Sequence, residues 1–350
     1  MTRKIFIEFC HYLYFSTHLN IQNFFNLVDC LCSFVAYAKV LIKLVAFWVN
    51  QRKLVETLTL IMDDWSNCAK SDIGVTMHKA KLSDRITNTI LILHTMSIVG
   101  YCLGVIIVDA DVTDQTIELP FASKLTLPFN INIQNTYRLI LIAEFVHMIF
   151  CNWLLGIVNA ILLTLVLHMG GQVEILQSWL SQLVPKKIGN KEESIVTLTN
   201  KIIRKHNRII QFSENIEILY TYIALLLFAS NTILMCSIAF LIVTAIGTPD
   251  ATEQILKSIL FFWNTNLEAF IFCYAGEYLS NKSRAIEFAT YNCPWYNLKS
   301  KDIRILLFII LRSQKEMTLT AGKIMDLSLK SFTSIMNTSG SYLSVMLAMQ

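Results

Sequence analysis

Near the C-terminus, Ser331, Ser334, Thr338 and Ser341 recur at helical spacing and fall on one stripe that ends on Val345. Phe332, Ile335, Met336, Leu343 and Met346 fill the other sides, and the run from Lys323 onward is long enough for a membrane helix. A helix that only anchors in lipid gains nothing from such a stripe, because each buried hydroxyl needs a partner. Two readings account for it. Either the hydroxyls bond back to their own helix or a neighbour, or they line a water-filled path in which an apolar residue is the constriction that gates by dewetting.

Other chemistry is sparse. The chain has no Gly-rich phosphate loop, no HExxH, no GxSxG and no pair of carboxylates within a span, so no enzyme and no catalytic residue is expected. Nine cysteines form no CxxC pair and no Cys/His cluster. Cys102, Cys151, Cys236 and Cys273 sit in apolar segments as small hydrophobes. Neither a metal nor a cofactor is expected, nor a nucleic-acid partner.

Ionisable residues inside spans merit attention by default. Lys39 and Lys43 lie one helical turn apart and are read as snorkelling toward the cytoplasm, with a ligand or lipid contact as the alternative. Glu144 and His147 lie near the outer end of the fourth span, where Glu144 either partners a cation or faces a solvated outer vestibule. His168 and His206 are expected to hold a cytoplasmic bundle together, since no second metal ligand stands at helical spacing beside either.

The composition says what must position these groups. Charged residues are 15% and hydrophobic ones 54%, with a mean hydropathy of +0.52. A soluble domain carries about a quarter charged residues, so this is an integral membrane protein. Clear spans are Phe24–Val49, Ile86–Val108, Leu139–Leu167, Tyr220–Ile246 and Ile255–Leu279, and each reaches the roughly 20 residues a bilayer core demands. Weaker spans are Ile5–Ile21, which carries Glu8, His11 and His18, and Leu327–Met349. The first is expected to be a transmembrane helix short enough to be incomplete.

Loop charge orients them. Arg52, Lys53, Lys70, Lys79, Lys81 and Arg85 follow the second span. Seven Lys and Arg residues, from Lys186 to Arg208, follow the fourth, and Lys282, Arg284, Lys299, Lys301 and Arg304 follow the sixth. The loops Asp109–Tyr137 and Gly247–Gln254 contain one lysine, Lys124, among six carboxylates. The positive-inside rule places the three basic loops and the N-terminus in the cytoplasm and the C-terminus outside. Gly170–Leu183 and Val196–Ile218 continue the fourth and fifth spans as amphipathic helices, which implies a packed cytoplasmic bundle. The predicted fold is an all-α integral membrane protein of seven transmembrane helices, N-terminus cytoplasmic, with a cytoplasmic helical bundle. A G-protein-coupled seven-helix receptor is the alternative, and it requires the reverse orientation. A transporter is disfavoured by the lack of repeats.

Several segments carry a resemblance. They are Arg312-Ser313-Gln314-Lys315, Leu319-Thr320-Ala321-Gly322-Lys323, Leu327-Ser328-Leu329 with Phe332, and Ser341-Tyr342 with Val345. Together they resemble the seventh-segment signature of insect odorant receptors. Phe272-Cys273-Tyr274 with Gly276, Ser283 and Trp295-Tyr296 is similar to the end of that family's sixth segment and its following loop. His168 with Gln172, His206 with Phe212, and Asp64-Trp65 fit its cytoplasmic positions. The loop after the fourth span lacks the long insertion of the shared odorant co-receptor, Orco, so the resemblance is to a ligand-selective tuning subunit. Gustatory relatives end in a Thr-Tyr, five-apolar, Gln-Phe motif that is absent after Tyr342.

The resemblance implies a ligand-gated, non-selective cation channel, a heterotetramer with the co-receptor in the plasma membrane of olfactory sensory neurons. It implies one unit over 1–350, with ligand-sensing spans and cytoplasmic extensions in 24–279, and an anchor segment and pore-lining seventh helix in 280–350. It places the gate on Val345, with Leu347 as a secondary constriction, and no acidic ring near either. It also implies an odorant pocket in the outer half of the membrane. Candidate linings there are Phe34 and Tyr37; Ser97, Tyr101 and Gly104; Phe145 and Met148; Phe262 and Asn266. Such walls suit a small volatile molecule.

Overall fold

Helix α1 covers Phe24–Val49, the second predicted span residue for residue, and α2 (Gln51–Ser66) follows it after Asn50. Then come α3 (Ile73–Ile107), α4 (Gln134–Ser181), α5 (Ile195–Ala245), α6 (Ala251–Asn292), a 3-10 turn at Trp295–Asn297, α7 (Ser300–Ser313) and α8 (Leu329–Ala348). This computed structural model describes residues 24–107, 134–183, 195–246, 251–298 and 300–348. The predicted first span Ile5–Ile21, most of the outer loop Asp109–Tyr137, and the side chains of Gly104 and Leu347 lie outside the described residues.

Among the described residues, three helices are long and apolar enough to cross a membrane on length and composition alone: Leu27–Val49, Asn135–Ser181 and Thr197–Ala245. The last two extend well past a bilayer, since at about 1.5 Å per residue a 50-residue helix runs about 75 Å. Each is one continuous helix joining a membrane span to its amphipathic extension, as the sequence predicts.

The two halves of α4 bury opposite kinds of surface. In the outer half, Leu139, Ile142, Val146, Phe150, Trp153 and Ile157 form an exposed apolar stripe at spacings of three and four, the face that lipid covers. Farther along, Leu162, Val166, Met169, Val173, Leu176 and Leu180 are each almost wholly buried. Their alternation of four and three residues is the seam of a coiled coil. On α5 the seam is answered by Ile202, Ile209, Phe212, Ile216, Leu219 and Ile223, in the same core. This apolar seam between α4 and α5 lies at the basic, cytoplasmic end of the molecule.

The seventh segment starts later than Lys323. Residues 319–327 fold back as a two-stranded hairpin pairing Thr320 with Asp326 and Ala321 with Met325. Gly322 and Lys323 both take φ of +61°, a left-handed turn that no helix passes through. The Ser328 hydroxyl then accepts the Ser331 N–H at 3.1 Å, capping the start of α8. The hairpin is pinned to α5, where Glu217 accepts the Thr320 N–H at 2.9 Å and the Thr221 carbonyl accepts the Gly322 N–H at 2.9 Å. On α6, Gly276 leaves room for Leu327, whose carbonyl oxygen would sit 2.3 Å from an added Cβ. The motif residues of the tail thus form the joint between α5, α6 and α8.

Candidate ligand cavity and channel face

Between α1, α3, α4, α5 and α6, near their outer ends, lies a cavity of about 110 Å³. Helix α1 contributes Ser33, Ala36, Tyr37 and Val40, a single stripe, and α3 contributes His94, Ser97, Ile98 and Tyr101. Met148, Cys151, Asn152 and Leu155 come from α4, and Leu260, Phe261, Asn264 and Thr265 from α6. An apolar cavity of about 150 Å³ takes up benzene, so this space suits a molecule of that order. A larger cleft of about 620 Å³ opens at the cytoplasmic end, but Asp64, Lys201, Arg204 and Lys205 line it, and an apolar volatile gains little there.

The inner end of the outer cavity is charged. Lys39 and Glu268 both line it. Glu268 accepts from Lys39 through one oxygen and from Lys43 through the other. Lys39 also donates to Asn231 Oδ1 at 2.6 Å, and Lys43 to Asn159 Oδ1 at 3.3 Å. The Lys43 ammonium lies 5.4 Å from the centre of the Phe272 ring. All three charged residues are buried, with Lys43 and Glu268 each 3% exposed. The snorkelling expected of Lys39 and Lys43 is therefore corrected: a buried carboxylate on α6 draws both inward, and four helices converge on one ion triad. Glu144, expected in a solvated vestibule, is buried as well, and His147 packs its ring 5.3 Å from that of Tyr37.

Helix α8 shows two faces. Ile335 and Ser339 are buried against the bundle, while Ser334, Thr338, Ser341 and Val345 are exposed, Val345 at 56%. Ser331, half-buried, donates to the Asp326 carbonyl at 2.7 Å. Thr338 donates to the Ser334 carbonyl at 2.9 Å, and Ser341 to that of Asn337 at 3.1 Å. These hydroxyls thus bond back to nearby backbone carbonyls, and a hydroxyl whose hydrogen is committed in this way turns its oxygen lone pairs outward.

At the cytoplasmic end, Asp64 accepts from His168 at 3.1 Å and lies 3.3 Å from Lys205 and 3.0 Å from Arg208. Burial pushes the Asp64 carboxyl up, but the His168 hydrogen bond and the charges of Lys205 and Arg208 outweigh it and hold the group below its usual range. Asp64 and His168 thus tie α2 to α4 and α5, the structural role expected of His168.

The model of the 7tm odorant receptor family matches residues 23–340. The chain belongs to this family. Odorant receptor 10 of Aedes albopictus is 29% identical over 176 residues, covering 50% of this chain and 46% of that relative. Odorant receptor 13a of Drosophila melanogaster is 29% identical over 188 residues, covering 50% and 44%. The chain thus matches under half the length of these curated relatives. Among solved structures, the insect olfactory receptor OR5 of Machilis hrabei in complex with eugenol superposes with a TM-score of 0.82 at 15% identity, covering 100% of this chain and 87% of that one. At that identity the likeness shows the fold, an all-α membrane protein of seven-helix type.

Of the pocket residues predicted for this receptor, Tyr37, Ser97, Tyr101 and Met148 are brought together around the cavity. Four others do not line it. Phe34 sits next to the α1 lining stripe and is 38% exposed. Phe145 lies one turn outward of Met148, with Phe150 and Val146 opening to lipid on its helix. Phe262 and Asn266 each follow a lining position by one residue, about 100° around the α6 helix. Phe262 packs into the core instead, and Asn266 donates to the Phe262 carbonyl at 2.8 Å. The sequence reading missed Glu268, His94, Asn152 and Asn264. Their signal was available: lone polar residues inside otherwise apolar spans, which in a membrane require partners.

Proposed function

We propose that this chain is the odorant-binding, tuning subunit of a ligand-gated, non-selective cation channel, assembled with the odorant co-receptor as a heterotetramer in the plasma membrane of olfactory sensory neurons. A small volatile enters the outer cavity and stabilises the open arrangement of α8, one copy of which borders the pore from each subunit. The observation that carries the reading is the two-faced α8. Among the described residues Ser334, Thr338, Ser341 and Val345 on its hydroxyl-bearing face are exposed, while its apolar face packs against α5 and α6. Outward lone pairs give a weak, poorly discriminating field for cations, and Val345 supplies the apolar constriction. The similar olfactory receptor solved with eugenol supports a small aromatic or aliphatic odorant as ligand. Residues 24–279 then sense the ligand, and 280–350 anchor the subunit and form its share of the pore.

The test is current recorded from cells expressing this chain with and without the co-receptor, with G-protein signalling blocked. Odorant-evoked cation current that needs both chains and survives the block is expected. Current abolished by the block, or a response through this chain alone by second messenger, refutes the channel reading. Tyr101→Ala is expected to reorder the active odorants at unchanged surface level, and an unaltered order removes Tyr101 from the pocket.

A further inference from the structure

The cavity wall contains polar atoms that have no hydrogen-bond partner among the described residues. Asn152 Nδ2 donates to the His94 carbonyl at 2.8 Å, which fixes the orientation of its amide. Asn152 Oδ1 therefore accepts from His94 Nδ1 at 3.0 Å and from Asn264 Nδ2 at 3.1 Å. This network assigns the imidazole hydrogen to Nδ1, so His94 Nε2 presents a lone pair. His94 Nε2 and Asn264 Oδ1 are both buried and make no hydrogen bond to any described residue, although His94 is only 1% exposed. Two unmatched acceptors thus stand on residues that line one small cavity. Buried acceptors of this kind favour an occupant that donates, because leaving them unmade is costly.

The nearby triad narrows the class. Lys39 and Lys43 outnumber Glu268, so the inner end of the cavity carries an excess of positive charge. That field opposes an ammonium ligand. A carboxylate, in turn, brings only lone pairs to two atoms that already offer lone pairs. Ethers, esters and ketones likewise have no hydrogen to give. Resting on the cavity as the odorant site, we infer that the ligand is a small neutral hydroxyl compound, an aliphatic alcohol or phenol. Its O–H donates to His94 Nε2 or Asn264 Oδ1, and its carbon skeleton packs on Tyr37, Ile98, Tyr101 and Leu155.

The test is binding by the full-length chain in detergent micelles, read as thermal shift, with 1-hexanol and phenol set against hexyl methyl ether, anisole, 2-hexanone and hexanoic acid. Hydroxyl compounds are expected to bind at about tenfold lower concentration than the matched ethers, the value of one hydrogen bond to a buried acceptor. In His94→Phe and Asn264→Leu, made separately and checked for a monodisperse peak, that preference should fall toward unity in at least one, with ether binding retained. Equal binding of alcohols and ethers by the native chain overturns the inference, as do preference for the acid, binding of none of the probes, and an alcohol preference untouched in both variants. If one variant fails to fold, the other and the native panel still decide. Hydroxyl-selective binding without any odorant-evoked current in the heteromer leaves this inference standing and sinks the channel reading. Odorant-evoked current with no hydroxyl preference does the reverse.

Discussion

Replacing Glu268 should be far more damaging than replacing either lysine that binds it. In the native chain one carboxylate serves two ammonium groups in a site almost closed to solvent. Glu268→Gln leaves two positive charges buried a few ångströms apart with only amides to satisfy them. Removing one partner from a buried ion pair costs about 3–5 kcal/mol, and here two pairs are lost at once. Lys39→Met, by contrast, leaves Lys43 and Glu268 as a neutral pair. It forfeits one charged contact and the Asn231 hydrogen bond, a net cost of about 1–2 kcal/mol, offset in part by the apolar methionine. At about 2 °C per kcal/mol for a chain larger than 200 residues, Glu268→Gln should melt about 6–10 °C below the native chain and Lys39→Met within about 4 °C of it. The assay is fluorescence-detected size exclusion of the full-length chain after heating in detergent. The double replacement Glu268→Gln with Lys39→Met should recover part of the loss, because it removes one of the stranded cations. Equal melting of the two single variants, or a double variant with strictly additive losses, refutes the triad as a coupled charge unit.

Val345→Ala should raise resting cation leak in the heteromer, since widening an apolar constriction admits water, and an unchanged resting conductance in surface-expressed channels removes Val345 from the gate. Gly276→Ala should destabilise the chain by about 1–3 kcal/mol. The new methyl would meet the Leu327 carbonyl at 2.3 Å. A native melting temperature with native odorant current would show that α6 and α8 do not depend on this close approach. Burial, with the charge of Arg312 beside it, pushes the His206 imidazole down to about 4. The folded chain therefore resists protonation that the unfolded chain accepts from about pH 6.5 downward, so stability should fall as pH drops from 6.5 toward 4, by about 3 kcal/mol in all. His206→Phe should flatten that part of the melting-against-pH curve, and an unchanged slope would refute the assignment.

Periodic apolar runs made the helices readable. Phe24–Val49 appears with the expected bounds, and the heptad-like seam from Leu162 to Leu180 made the continuation of α4 beyond the membrane evident. The hairpin at 319–327 was not legible as a hairpin, because its strands are two residues long and its turn rests on a lysine with positive φ as well as on Gly322. The cavity was legible by region and only half by residue. Period 3.6 tells which residues share a face, but not which face looks inward when both are apolar, and so Phe262 was placed one position off the lining at Phe261. The triad was within reach. Lys39 and Glu268 lie fifteen and seventeen residues into helices that start on the same side of the membrane, hence at similar depth, and opposite charges at equal depth should be paired before either is sent to the surface.

The unbroken length of α4 has a mechanical consequence. Met148 and Cys151 touch the cavity, Asn159 meets Lys43, and Ser181, exposed, ends the rod at the cytoplasmic end. Along the helix, Asn159 lies about 16 Å from Met148 and about 33 Å from Ser181. A tilt of the rod about Asn159 would therefore carry its cytoplasmic tip about twice as far as its cavity end.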